Sequence, residues 1–317
     1  MKNIVSEALQ VFEKGETLVS PFSFTFLSVC RILSGDIDLR ERCEKMAKIC
    51  TFYDHAADIS KQENISIGEA MQEVKSLGVE LLEVSQNNLL GREDEVEQEL
   101  SGAGLGISSI PAYFKFGVDT DVERQSVPTL DAARRFGVKR ILVIPGFFQK
   151  EDAPAQREAQ IQNMIGCIDR LTELADKDGI SLIMEDYDNV LAPFSTIEGV
   201  NRFVTQCHGL SCCFDTGNFR FSAQDELLAY ETLKGSITHV HLKDRAYSPA
   251  GPGHSITALD GQELYPVSVG GGDLNLLEIM ARLKRDGYQG DFSVEHYGAG
   301  DMLGFLKKSV AWVRENM

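Results

Sequence analysis

Positive charge is scarce in this 317-residue sequence: 31 lysines and arginines stand against 48 aspartates and glutamates, for a formal net charge of −17 and an isoelectric point near 4.8. Such a chain repels the phosphate backbone of DNA or RNA, so no nucleic-acid partner is expected and a small neutral or cation-assisted substrate fits better. A long apolar core is missing from the N-terminal stretch MKNIVSEALQVFEKGE, which is amphipathic and acidic. It resembles neither a signal peptide nor a membrane span, and no membrane partner is expected. An even cysteine count is lacking too. The seven cysteines include several inside apolar segments such as Ser211-Cys212-Cys213-Phe214, where the reduced side chain serves as a small hydrophobe. A reducing cytoplasm is the expected compartment.

What is present is enough apolar residue, 43% of the chain, to bury a full core. Strand-length apolar runs alternate with helical patterns about eight times. The strand candidates are 17–26, 79–84, 104–110, 139–144, 180–185, 211–215, 237–242 and 291–295. Helical patterns between them include Ile67–Val74, Ala155–Ala175 and Leu274–Lys284. Glycine recurs after the last helical turn and before the next strand, at Gly78, Gly104, Gly137, Gly179, Gly209 and Gly287, which is the stop signal of αβ loops. This rhythm predicts an α/β fold: one (β/α)8 barrel domain over 1–317, closed rather than open. Two segments break the rhythm. Residues 28–65 read as an inserted arm, placed either across the barrel mouth or against a partner subunit in a homo-oligomer. Residues 243–272 read as a long loop placed to serve as a lid.

Four metal-ligating side chains sit at the ends of apolar runs: Glu185 in SLIMED, Asp215 in SCCFDTGNF, His241 in THVHLKD and Glu295 in FSVEHYG. On consecutive strands of a parallel barrel they converge at one mouth, where three carboxylates and an imidazole hold a divalent cation. Manganese or magnesium is favoured by the carboxylates, while cobalt and zinc are compatible with the set. Asp215 also has the composition of an Asx turn in Asp-Thr-Gly-Asn. The non-alternating run Leu182-Ile183-Met184 leaves open whether Glu185 or Asp186 points inward. His239 and His241 alternate and share one face of their strand, His239 one layer deeper as a hydrogen-bonded histidine.

With these residues the chain resembles the sugar isomerase/epimerase family with a xylose-isomerase-like barrel, which includes ketose 3-epimerases, hydroxypyruvate isomerase and inosose dehydratase. The likeness rests on Glu185, on Asp215 with Thr216-Gly217-Asn218, on His239-Val240-His241, on Glu295 and on the Gly272-Asp273 step. The resemblance favours Glu185 over Asp186, and it implies that Glu185 and Glu295 are an acid/base pair that also ligates the metal, with Asp215 and His241 as ligands only. It further implies that Arg245, Lys243, Asn218 and His239 line the substrate space. Asn218 stands where several epimerases carry a histidine that touches substrate. The expected chemistry is proton transfer next to a carbonyl of a small carbohydrate or polyol through an enediolate, with the developing charge stabilised by the cation.

Isomerisation, epimerisation and inosose-type dehydration all begin with that step, and a metal-binding barrel without turnover is the non-enzymatic alternative. An abasic-site endonuclease of the same superfamily is disfavoured, because VELLEVSQNN and LGISSIPAY lack the histidines its zinc cluster needs. Gly270 to Gly272 either cradle a substrate phosphate or permit lid movement. Phe22, Phe24, Phe26, Tyr113, Phe114, Phe147 and Phe148 fall at predicted strand ends, as core more readily than as a sugar-binding wall, and Trp312 reads as a packing residue.

Overall fold

A computed structural model of the chain describes residues 47–317. Eight parallel strands close a barrel in sequence order: β1 (Ile49–Phe52), β2 (Leu81–Glu83), β3 (Gly106–Tyr113), β4 (Arg140–Ile144), β5 (Ser181–Met184), β6 (Leu210–Asp215), β7 (Ile237–Leu242) and β11 (Phe292–Val294), the last pairing back onto β1. The helices between them include α1 (Tyr53–Glu63), α2 (Ile67–Ser76), α5 (Val122–Phe136), α6 (Pro154–Ala175), α9 (Leu276–Arg285) and α10 (Met302–Asn316), numbered in chain order among the described helices. The (β/α)8 barrel expected from the rhythm is therefore the fold.

Local chemistry sets the element ends. Ser66 caps α2 by accepting from the Glu69 N–H at 3.2 Å while the Glu69 carboxylate accepts from the Ser66 N–H at 2.8 Å, a reciprocal capping box. Asp121, Thr196, Asp225 and Asp301 cap four further helices. All six glycines read as stop signals have positive φ, between 62° and 90°, a conformation that a Cβ disfavours.

Two expectations are corrected. The first strand expected at 17–26 lies outside the described residues, and the strand that closes the ring is Ile49–Phe52, inside the segment 28–65 expected to be an inserted arm. From residue 49 onward that segment is barrel: β1 is followed directly by α1. The pattern failed here because β1, ICTF, runs straight into a helix with no loop between them to mark where the strand ends. The second correction concerns 243–272. Rather than a free loop, it holds a three-stranded antiparallel sheet of β8 (Asp244–Ala246), β10 (Glu263–Val267) and β9 (Ile256–Thr257). It is tied to the turn after β11 by His254 N–H to Gly298 O at 3.0 Å and Gly300 N–H to Pro252 O at 2.8 Å.

The outer faces of the strands pack on the helices through a continuous apolar core that includes Leu82, Ile110, Ile141, Leu182, Phe214 and Val240. The interior just below the mouth is polar instead. Glu83, Ser109, His239 and Ser293 are all buried to within 1% there. The five cysteines among the described residues are buried and free, as a reduced chain requires.

Candidate metal centre

Parallel register brings the four expected ligands to one level. Asp215 at the end of β6 pairs directly with His241 on β7, and His241 pairs with Ser293 on β11, two residues before Glu295. Glu185 follows the last residue of β5. One ligand atom from each of Glu185, Asp215, His241 and Glu295 lies within 4.8 Å of all the others, and all four residues are buried. Residues spread over 110 positions of sequence thus meet because each ends a barrel strand, where a side chain emerges into the C-terminal mouth.

The hydrogen bonding at this point is incomplete in a specific way. Glu185 Oε2, Asp215 Oδ2 and His241 Nδ1 are buried without a hydrogen-bond partner. His241 Nδ1 lies 2.8 Å from Glu185 Oε2 and 3.3 Å from Glu295 Oε2, close but without hydrogen-bond geometry. Buried polar atoms without partners cost free energy, and several such atoms converging on one spot are what a cation would satisfy. Three carboxylates and a neutral imidazole fit a divalent ion.

The geometry of Asp215 is compatible with both readings considered for it. Its Oδ1 accepts from the N–H groups of Gly217 and Asn218, both at 2.7 Å, as in an Asx turn, which leaves Oδ2 aimed at the cluster. Glu185 takes the inward place. Asp186 is nevertheless buried, with both carboxylate oxygens unpartnered, and burial followed by repulsion from Asp215 and Asp188 pushes its pKa far up. Burial raises Glu185 also and brings Asp215 to about 7, with Lys243 opposing that rise. Glu295 differs: burial would raise it, but the adjacent Lys243 ammonium outweighs burial and holds it well below the usual range.

The residues expected to line the substrate space are placed unequally. Lys243 is buried with its ammonium against Glu295 Oε1 and Asn218 Oδ1, and 3.6 Å from Asp215 Oδ2. Asn218 is used up in holding it, since its Nδ2 donates to Asp186 O at 3.0 Å. Arg245 is anchored by Asp188 at 2.8 Å. His239 does not reach the mouth: its Nε2 contacts Glu83 at 2.7 Å and its Nδ1 faces Arg140 at 3.2 Å, so both ring nitrogens are engaged beneath the site. This is the deeper, hydrogen-bonded place read for it from the alternation with His241, rather than a place lining the substrate space, because inward positions two residues apart on a strand fall in successive layers. The glycine run is no free phosphate cradle either. The Gly270 and Gly272 N–H groups both donate to Asp244 Oδ2 at 2.9 Å, so the chain's own carboxylate fills that place. Of the aromatics, Phe114 stacks on Phe116 in the core, Phe147 meets Tyr187 edge-on, and Phe22, Phe24 and Phe26 lie outside the described residues.

Sequence reading missed Glu83, Asp188 and Phe52. Phe52 packs edge-on against the His241 ring at 5.2 Å, and it was passed over because its strand was not recognised. Glu83 carried a usable signal: it is an acidic residue at the end of an apolar strand, the same place at which the four ligands were noticed.

Comparison with known proteins places this geometry. No curated protein matches the sequence. Among solved structures, a xylose isomerase-like TIM barrel protein from Mycobacterium smegmatis in complex with magnesium aligns at a TM-score of 0.58 and 22% identity, over 78% of this chain and 87% of its own. A probable 3-DHS dehydratase involved in petrobactin synthesis from Bacillus anthracis aligns at 0.59 and 18%, over 85% and 98%. A D-allulose 3-epimerase from Methylomonas sp. aligns at 0.63 and 15%, over 86% and 99%. At these identities the likeness is one of fold. The family model described as xylose isomerase-like TIM barrel matches residues 71–316, which hold all four candidate ligands and seven of the eight barrel strands, and the chain belongs to that family.

Proposed function

We propose that the protein is a metal-dependent isomerase or epimerase that moves a proton next to a carbonyl of a small carbohydrate or polyol. The observation that carries this reading is the convergence of Glu185, Asp215, His241 and Glu295 within 4.8 Å at the barrel mouth, with three of their ligand atoms unpartnered. These four residues would hold the ion. A bound divalent cation supplies positive charge against the negative charge that develops on the substrate oxygens during proton removal. Manganese or magnesium suits the carboxylate-rich set, and the Mycobacterium smegmatis relative was crystallised with magnesium.

The chain's own groups account for the remaining requirements. Glu185 and Glu295 come from strands on different sides of the mouth, β5 and β11 being separated in the ring by β6 and β7, so a substrate held between them meets one carboxylate on each face. One takes the proton and the other returns it, the arrangement that general acid/base catalysis needs. Lys243 and Arg245 border the same space, held in place by Asn218 and Asp188. The Phe52 ring packs on the His241 side of this space.

A dehydratase is the second reading, favoured by one observation. Lys243 places a buried ammonium against Glu295, where it is positioned to protonate a departing hydroxyl, and elimination of water needs that proton whereas epimerisation does not. The Bacillus anthracis relative is described as a probable dehydratase. Incubating the purified chain with manganese in deuterated water and a panel of free and phosphorylated ketoses and inososes tests both readings. Deuterium at a carbon next to the carbonyl supports proton transfer, and loss of water from the same compound identifies the dehydratase. No exchange with any member of the panel would refute the enzymatic reading.

A further inference from the structure

Below the ligand cluster lies a second group of polar side chains to which the reaction assigns no part. At its centre is Glu83, at the end of β2 and buried to 1%. Four donors surround its carboxylate. His239 Nε2 at 2.7 Å, His241 Nε2 at 3.0 Å and the Ser293 hydroxyl meet Oε1, and the Ser109 hydroxyl meets Oε2 at 2.6 Å. An ionised carboxylate is acceptor-only, so every one of these contacts requires a hydrogen on the other partner.

We propose that Glu83 is a positioning residue for the metal centre: it fixes the proton of His241 on Nε2 and so aims the Nδ1 electron pair at the ligand cluster. This inference rests on the metal reading of that cluster. Two independent contacts fix the direction of the hydrogen bonds. Arg140 Nη1 lies 3.2 Å from His239 Nδ1, and a guanidinium only donates, so Nδ1 of His239 accepts and its proton sits on Nε2, facing Glu83. His241 Nε2 meets the same Glu83 oxygen. Were it unprotonated, two electron pairs would oppose each other at 3.0 Å between two fully buried side chains. The Nδ1 side of the ring then faces Glu185 and Glu295 with no hydrogen-bond partner. Phe52 packs edge-on against the ring at 5.2 Å. The chain Arg140, His239, Glu83, His241 therefore runs from the lower barrel to the mouth, and its last member presents a nitrogen to the ion. Carboxylates behind metal-binding histidines orient the ring and raise its basicity, and their loss costs about 10- to 100-fold in metal affinity.

The test uses the full chain with 15N-labelled histidine and zinc as a diamagnetic probe. Two-bond proton–nitrogen spectra of the metal-free and zinc-loaded wild type should show His241 Nε2 carrying a proton in both states, with Nδ1 shifted on zinc addition. A bare Nε2 in either state, or zinc on Nε2, overturns the proposal, and this measurement needs no variant to fold. By competition titration, Glu83→Gln should bind zinc about tenfold more weakly and Glu83→Leu up to about a hundredfold. Ser293→Ala, which removes a donor but keeps the Glu83 to His241 contact, should stay near wild type. Equal losses in Ser293→Ala and Glu83→Gln would reduce Glu83 to a packing residue. A wild type that takes up no zinc sinks the metal reading itself and the proposal with it, whereas zinc uptake without proton exchange in deuterated water sinks the proposed reaction alone.

Discussion

Replacing Lys243 by methionine should destabilise the metal-free protein and tighten its hold on a divalent ion. Lys243 is the only lysine or arginine whose charged group contacts the ligand carboxylates among the described residues, meeting Glu295 directly and Asp215 at 3.6 Å, with 7% of its side chain exposed. Removing one partner of a buried ion pair costs about 3–5 kcal/mol, because the other charge is left buried and uncompensated. The lower end applies here. Asp215 already has its pKa raised to about 7 by burial, and once Lys243 is gone it can take up a proton and shed part of the penalty. At pH 8 the expected loss is about 3 kcal/mol in EDTA. With manganese bound, the same carboxylates face a doubly charged ion, and the lysine's absence also removes a repulsion between cations. Little of the loss should remain. By linkage, a difference of about 3 kcal/mol between the two states equals manganese binding roughly a hundredfold tighter in Lys243→Met. Urea unfolding with and without manganese, alongside calorimetric titration of the ion, measures both sides of the cycle. Equal destabilisation in the two conditions, or unchanged affinity, would show that the ammonium and the ion do not share a site.

Three further outcomes are expected. Glu295→Gln should lower turnover by about 10²- to 10⁴-fold with an unchanged circular dichroism spectrum, and near-normal activity on a substrate found in the exchange panel would remove Glu295 from the acid/base pair. His241→Ala should leave the chain with less metal after purification in manganese-containing buffer, as read by elemental analysis, so unchanged content would contradict its place among the ligands. Gly272→Ala places a Cβ 2.3 Å from Asp244 Oδ1 and 2.6 Å from the Arg245 carbonyl oxygen, and this overpacking should cost about 1–3 kcal/mol in urea unfolding. A silent substitution there would mean that the turn around Asp244 yields freely.

What the sequence determined by itself is the part of the structure written in local chemistry. Apolar runs of strand length and the glycines that stop helices at positive φ are decided within a few residues, and they sufficed to predict seven of the eight barrel strands. The convergence of the candidate ligands was legible for the same reason, since Glu185, Asp215, His241 and Glu295 each end such a run and strand ends in a parallel barrel open onto one mouth. Tertiary structure decided the rest. Ile49–Phe52 is a barrel strand because β2 and β11 both need a neighbour to close the ring, a requirement of pairing that four residues of sequence do not express. The part taken by Glu83 depends on His241, 158 residues away, and becomes visible only when β2 and β7 face each other across a buried interior where every donor must find its acceptor.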